Sequence, residues 1–172
     1  MKRWIIIAII VGVLLLASFT LLGAPLAIDD ISHELPKAGS YGTRSLSQIR
    51  YIVIHHSASE NQSPLDYAHF HISKGWPGIG YHFVIDPSGK IWQTNALETV
   101  SYHVQGNNTP SIGICLSGNL NEHPMTPSQK RSLKALIRRL KNRLAGNVEI
   151  KAHRDFTGTD CPGHLTDVQE FA

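Results

Sequence analysis

From Ile49 onward the chain alternates short apolar runs with helical periodicities. The run "YIVI" at 51–54 is continuous and β-branched, which predicts a buried strand. "YHFVI" (81–85) and "KIWQT" (90–94) flank "DPSG", which predicts a hairpin. "SIGICLSG" (111–118) predicts another strand, with Gly113 marking a close backbone approach. "VEIKA" (148–152) alternates weakly and predicts a last strand. Two helices lie between them. "SPLDYAHFHISKG" offers Ser63 as N-cap, Pro64 at the first helical position, Asp66 in the first turn and Gly75 as the stop. "TPSQ" (126–129) has the pattern of a capping box, and Leu133, Leu136, Ile137, Leu140 and Leu144 follow as one apolar stripe that Gly146 ends. The fold class is therefore α/β: a mixed central β-sheet flanked by helices, in one domain over 49–172.

The N-terminal 23 residues have a different pattern. "MKRWIIIAIIVGVLLLASFTLLG" opens with Lys2 and Arg3 and then runs from Trp4 to Leu22 with only Ser18 and Thr20 as polar interruptions. About 20 apolar residues span a bilayer. A cleaved signal peptide has a shorter core and a small-residue cleavage site. "GAPLA" is a poor such site because of Pro25. The run is expected to be an uncleaved membrane anchor, with secretion after cleavage as the alternative. Lys2 and Arg3 would stay cytoplasmic, so the domain would sit on the periplasmic or extracellular side of the inner or plasma membrane. No cysteine follows the run, which argues against a lipoprotein. Residues 24–48 lack periodicity and read as a linker, long enough when extended to reach on the order of 80 Å.

The 172 residues suffice for one domain plus an extra segment, and 42% hydrophobic with 17% charged residues suits a globular fold. The formal net charge of +3 and pI near 9.0 favour an anionic partner without choosing among wall polymer, lipid surface and nucleic acid. The second helix gathers Lys130, Arg131, Lys134, Arg138, Arg139, Lys141 and Arg143 opposite its apolar stripe. That face reads as solvated surface or as a contact with anionic lipid or wall polymer. No groove-reading or base-stacking motif accompanies it, so a nucleic-acid partner is not expected.

Candidate chemistry concentrates where strands end. "YIVI" runs into His55 and His56, and "VEIKA" runs into His153. Adjacent residues of a strand point to opposite faces, so one of His55 and His56 points away from any site the other serves. "KAHRDFTGTDCPG" then supplies Cys161 eight residues after His153. One histidine from each strand and this cysteine make a plausible zinc set, since catalytic zinc takes three nitrogen or sulfur ligands and keeps a fourth position open. A disulfide between Cys115 and Cys161 is the competing reading, although Cys115 lies inside an apolar run that suits a buried free thiol.

Four stretches in order, "VIHHSAS" (53–59), "GWPGIGYHFVIDPSGKIWQ" (75–93), "SYHVQGNNTPSIGICLSGN" (101–119) and "AHRDFTGTDCPG" (152–163), resemble the zinc-dependent N-acetylmuramoyl-L-alanine amidases of the phage T7 lysozyme and peptidoglycan-recognition-protein family. The resemblance implies Zn²⁺ as cofactor, with His55, His153 and Cys161 as its ligands. It implies a catalytic role for Tyr81 and Thr159, and a substrate groove that His103 and Asn108 line. His69, His71 and His82 stay outside the metal set. Peptidoglycan or muropeptides would be the partner, and the amide between N-acetylmuramic acid and L-alanine the bond cleaved. A non-catalytic peptidoglycan-binding module is the alternative, and retention of all three ligands favours the enzyme. Two departures from the family pattern stand out. Thr159 occupies a position where some members carry lysine. Cys115 occupies one where some cytoplasmic relatives carry a glutamate, and a neutral thiol is a poor replacement for a base.

Overall fold

The computed structural model describes residues 26–144 and 147–172. The anchor expected over 1–23 and the helix stop at Gly146 lie outside them. Among the described residues no helix is long and apolar enough to cross a membrane. Strands β1 (Asp29–Asp30), β2 (Gly42–Thr43) and β3 (Tyr51–His56) precede helix α1 (Pro64–Ser73). Strands β4 (Phe83–Ile85), β5 (Ile91–Gln93), β6 (Thr99–Val100) and β7 (Ser111–Leu116) precede helix α2 (Pro127–Arg143), and β8 (Glu149–Ala152) closes the order.

Both helix starts form as their sequences predict. Ser63 and Asp66 cap α1 reciprocally, Thr126 and Gln129 cap α2, and each has proline in its first turn. The hairpin expected around "DPSG" pairs β4 with β5 antiparallel, Phe83 opposite Gln93 and Ile85 opposite Ile91. The main sheet has six strands in the order β1-β5-β4-β7-β3-β8, and β4, β7, β3 and β8 run parallel. It is the mixed sheet that the pattern implies.

Alternation along β3 sorts its side chains between two layers. Ile52 and Ile54 join Ile112, Ile114 and the α2 stripe in the larger core. The opposite face is smaller: Val84 and Cys115 pack with Tyr67 and Ala68 of α1. His55 and His56 part as the alternation requires. His56 turns from the site, and its Nδ1 accepts the Leu120 N–H at 3.0 Å.

Residues 26–48, read from sequence as a linker, pack against the domain. β1 pairs with β5 at the sheet edge and β2 with β6. Leu35 is buried with Tyr67, while Leu26, Ile28 and Leu46 lie against the main core. Arg44 is buried at 6% exposure. The physical reason this escapes a periodicity argument is element length, because two-residue strands and single anchoring side chains carry no period. The consequence for reach is large: nearly all of the extended length assigned to 24–48 is absorbed.

Candidate metal centre

Parallel pairing of β3 and β8 builds the centre. Ile54 stands opposite Ala152, so the residues that follow, His55 on β3 and His153 in the 3-10 turn just past β8, emerge beside one another at the carboxyl ends. Their rings lie 4.6 Å apart between centroids. The loop after β8 returns Cys161 to them, and the three potential ligand atoms all lie within 4.8 Å of one another. His55 Nδ1 and Cys161 Sγ are 3.6 Å apart. Zinc bond lengths of about 2.05 Å to nitrogen and 2.3 Å to sulfur, set at a tetrahedral angle, give an edge of about 3.6 Å. The donor set therefore fits a zinc-sized ion. Cys115 and Cys161 are both free thiols, so the disulfide reading falls.

The Cys161 loop is held from two sides. Arg154, next to His153, donates to the Gly163 carbonyl at 3.0 Å and to the Thr166 carbonyl at 2.7 Å. Asp155 accepts the Ala152 N–H at 2.8 Å, which fixes the exit of β8. Gly163 has φ of +93°, and a Cβ there would lie 2.4 Å from Leu120 backbone, so the Pro-Gly pair closes a turn that other residues cannot enter. Arg154 was not singled out from the sequence; its place between a candidate ligand and the loop was the available signal.

Behind His55 stands His103. His55 Nε2 lies 3.0 Å from His103 Nδ1, and His103 Nε2 lies 3.3 Å from Ser111 Oγ. With Nδ1 of His55 turned toward the ligand set, Nε2 is free to donate into this chain, as a partner behind a ligand does. The glycine at 113 permits the arrangement, since a Cβ there would fall 2.7 Å from the His103 ring. We predict that His103→Ala lowers zinc affinity by about 10- to 100-fold while the fold is retained, as read by competition with a chromogenic chelator.

The remaining candidates fall around this core. Tyr81 packs its ring 5.3 Å from that of His55 and is half-buried. Thr159 Oγ1 accepts the Cys161 N–H at 3.3 Å, which leaves its own hydrogen available. His103 and Asn108 both line a cleft of about 620 Å³ with Trp76, Tyr102, His153 and Thr157. Asn108 also has an internal duty, because its Oδ1 accepts the N–H groups of His103 and Val104 at 2.9 and 2.8 Å. Trp76 and Tyr102 were missed by sequence reading, which had no signal to separate them from core aromatics.

Burial sets the protonation states. It holds His55 well below its usual value, with His103, His153, His56 and His71 adding repulsion, and it lowers His153 too. Both imidazoles are therefore neutral at neutral pH, the form that binds metals. Burial pushes the Cys161 thiol up to about 11 against the opposing pull of the His56 N–H and Arg154, so a thiolate here calls for a cation. Tyr81 is held well above 10 by burial and then by Cys115 and Cys161, which makes its phenol a donor and never a base at neutral pH. Cys115 is likewise held protonated by burial.

Three histidines left outside the metal set are outside it in space. His69 is exposed. His82 is fully buried, where Nδ1 accepts the Gly113 N–H at 3.0 Å and Nε2 lies 2.9 Å from the Arg44 guanidinium. His71 stacks on Trp76 and accepts the Gly80 N–H at Nδ1. Its burial brings its pKa down from 6.5 to about 4. Between those values the unfolded chain takes up a proton that the fold refuses, so stability falls as pH drops from about 6.5 to about 4 and levels off below. The loss is at most about 3 kcal/mol. Urea unfolding of zinc-free protein at pH 7.5 and 5 should show a smaller acid loss in His71→Asn, whose amide oxygen replaces Nδ1.

A family profile described as N-acetylmuramoyl-L-alanine amidase, Amidase_2, matches residues 45–164. The chain belongs to this amidase family. Among curated relatives, the endolysin of Klebsiella phage KP32 is 35% identical over 98 residues, covering 54% of this chain and 64% of that one. The endolysin of Escherichia phage T7 is 32% identical over 119 residues, covering 64% of this chain and 78% of that one. Among solved structures, the endolysin amidase LysCS from Clostridium intestinale URNW superposes with a TM-score of 0.78 at 33% identity, over 87% of this chain and 95% of that one. Peptidoglycan-recognition protein LE in complex with tracheal cytotoxin, a monomeric diaminopimelic acid-type peptidoglycan, superposes at 0.75 with 25% identity, over 84% and 91%. The family resemblance read from the four motifs is thus shown, and with it the enzyme class. The amidase profile begins at Ser45 and so leaves out Arg44, β1 and β2, which the fold nevertheless uses.

Proposed function

We propose that this chain is a zinc-dependent amidase that hydrolyses the bond between N-acetylmuramic acid and L-alanine in peptidoglycan. One observation carries the reading: His55, His153 and Cys161 present two nitrogens and a sulfur within 4.8 Å of one another beside a cleft of about 620 Å³. A zinc ion in such a set supplies Lewis-acid polarisation of a carbonyl and an acidified water. The chain's own residues do the rest. His103 fixes the His55 ring from behind. Tyr81, held as a neutral phenol, donates a hydrogen bond to the charge that develops on the amide oxygen, and Thr159 adds its hydroxyl hydrogen from the Cys161 loop. Trp76 and Tyr102 give the cleft flat apolar walls against which a muropeptide can lie.

A non-catalytic recognition module is the rival. The peptidoglycan-recognition proteins among the structural neighbours keep it in view, and the intact ligand set favours the enzyme. Incubation of zinc-loaded protein with purified peptidoglycan separates the two. The amidase releases stem peptides with a free L-alanine amine, readable by mass spectrometry. Retention on the polymer with no release would assign recognition alone.

A further inference from the structure

The α2 face turned away from the core has no use in the reaction. The helix carries seven cations, Lys130, Arg131, Lys134, Arg138, Arg139, Lys141 and Arg143, and no carboxylate. That leaves nine of the chain's sixteen cations for everything else, against thirteen acids, so the positive charge is a property of this helix and not of the molecule. Of these seven, only Lys130 is in an ion pair among the described residues, with Glu170 at 2.6 Å. Arg131, Lys134, Arg138, Arg139 and Arg143 are exposed. The large exposed hydrophobics, Leu65, Phe70, Tyr102 and Leu165, are all elsewhere, so the face is built for charge and not for apolar insertion.

A second, independent observation says what faces it. Ile28 lies in a surface depression with Leu136, Leu140, Arg139 and Arg143, and Leu26 packs on the same core. The chain therefore meets the domain along the flank of α2. The apolar run in the sequence ends at Leu22, four residues before Leu26. Four residues extend on the order of 14 Å at most. If the run lies in a bilayer, the domain cannot stand off from it, and the element beside the exit point is the cationic helix. The Debye length at physiological salt is about 8 Å, comparable to that gap.

We propose that the exposed face of α2 docks on the anionic phospholipid headgroups of the membrane that holds the N-terminal run. Clusters of lysine and arginine beside a membrane segment are attracted to anionic lipid in this way. The domain then rides at the bilayer surface with α2 toward the lipid. α1, on the other face of the sheet, is turned outward.

Lysine acylation of the full chain in vesicles, read peptide by peptide by mass spectrometry, tests this. Vesicles of phosphatidylcholine alone are compared with vesicles holding three parts phosphatidylcholine to one of phosphatidylglycerol. Lys134 and Lys141 should be acylated at least threefold more slowly in the anionic vesicles, while exposed Lys74, at the end of α1, should not change. The protection should vanish in 0.5 M NaCl and in the triple variant Arg138→Glu, Arg139→Glu, Arg143→Glu, which should keep the parent's release of stem peptide from a soluble muropeptide. Equal acylation in both vesicles overturns the proposal. So does protection that appears only when peptidoglycan fragments are added to neutral vesicles, an outcome that assigns the face to a wall polymer.

Discussion

Cys161→Ala should leave a folded protein that neither holds zinc nor releases stem peptides above background. The expectation follows from where the thiol sits. Its sulfur stands at a tetrahedral edge from His55 Nδ1, at 3.6 Å, and no other cysteine is placed to replace it, because Cys115 is buried within β7. Altering a partner behind a metal ligand costs about 10- to 100-fold in affinity, and removing the ligand itself should cost more. The loop should survive the change. Its ties through Arg154 to the Gly163 and Thr166 carbonyls and through Thr159 to the residue 161 amide do not use the sulfur, and the change removes the weak bond that the sulfur accepts from the His56 N–H at 3.4 Å. Zinc content after dialysis and circular dichroism together check the result. A Cys161→Ala protein that retains one equivalent of zinc and full activity would remove Cys161 from the ligand set.

The second large effect belongs to a residue remote from the chemistry. Arg44→Leu should destabilise the domain by about 3–5 kcal/mol, a sizeable fraction of the 5–15 kcal/mol typical of a domain. The buried guanidinium donates to the carbonyls of Leu97, Asn108, Thr109 and Ser111, at 3.1 to 2.6 Å, with no carboxylate among these partners. Burial brings its pKa down to about 10, so it is still charged at neutral pH. Leucine would leave four carbonyls without their donor, each such loss costing about 1–3 kcal/mol where water does not enter, and the sum is reduced because leucine also removes the cost of burying a guanidinium charge. Lysine should recover part of the loss and not all of it, since one ammonium cannot reproduce a planar five-donor fork. The same strap holds the segment that carries Asn108 and Ser111, the neighbours of His103. Zinc affinity should therefore fall with stability. Urea unfolding of zinc-free protein reads the first effect, and an unfolding free energy within about 1 kcal/mol of the parent's would contradict it.

Arg44 also shows where sequence reasoning ends. The elements with a repeating pattern were legible: both helices with their caps, the β4–β5 hairpin, β7 and the parting of His55 from His56. Gly113 was legible as a close approach, and the structure names its cause as the His103 ring. The candidate ligand set was legible only in part. Strand ends and spacing left zinc and a disulfide both open, and it took the four motifs together, and then the register of β3 on β8, to bring His55 and His153 side by side. What stayed hidden lacks any period. Residues 26–48 add two-residue strands and one buried cation to a domain whose repeating pattern begins at Ile49. Asn108, expected in the groove, proves to divide its amide between the groove wall and the backbone of its own loop. Arg154 sits inside a matched motif, yet its task is visible only when the Cys161 loop has been closed.

Cutting the amide should require one zinc ion in the His55–His153–Cys161 set. The most direct test is stoichiometric reconstitution. Protein stripped by a chelator is titrated with Zn²⁺ while release of stem peptide from a muramyl-peptide fragment is followed. Stripped protein should release nothing, and recovery should rise linearly and stop at one equivalent. Undiminished release from protein shown to be free of metal would contradict it.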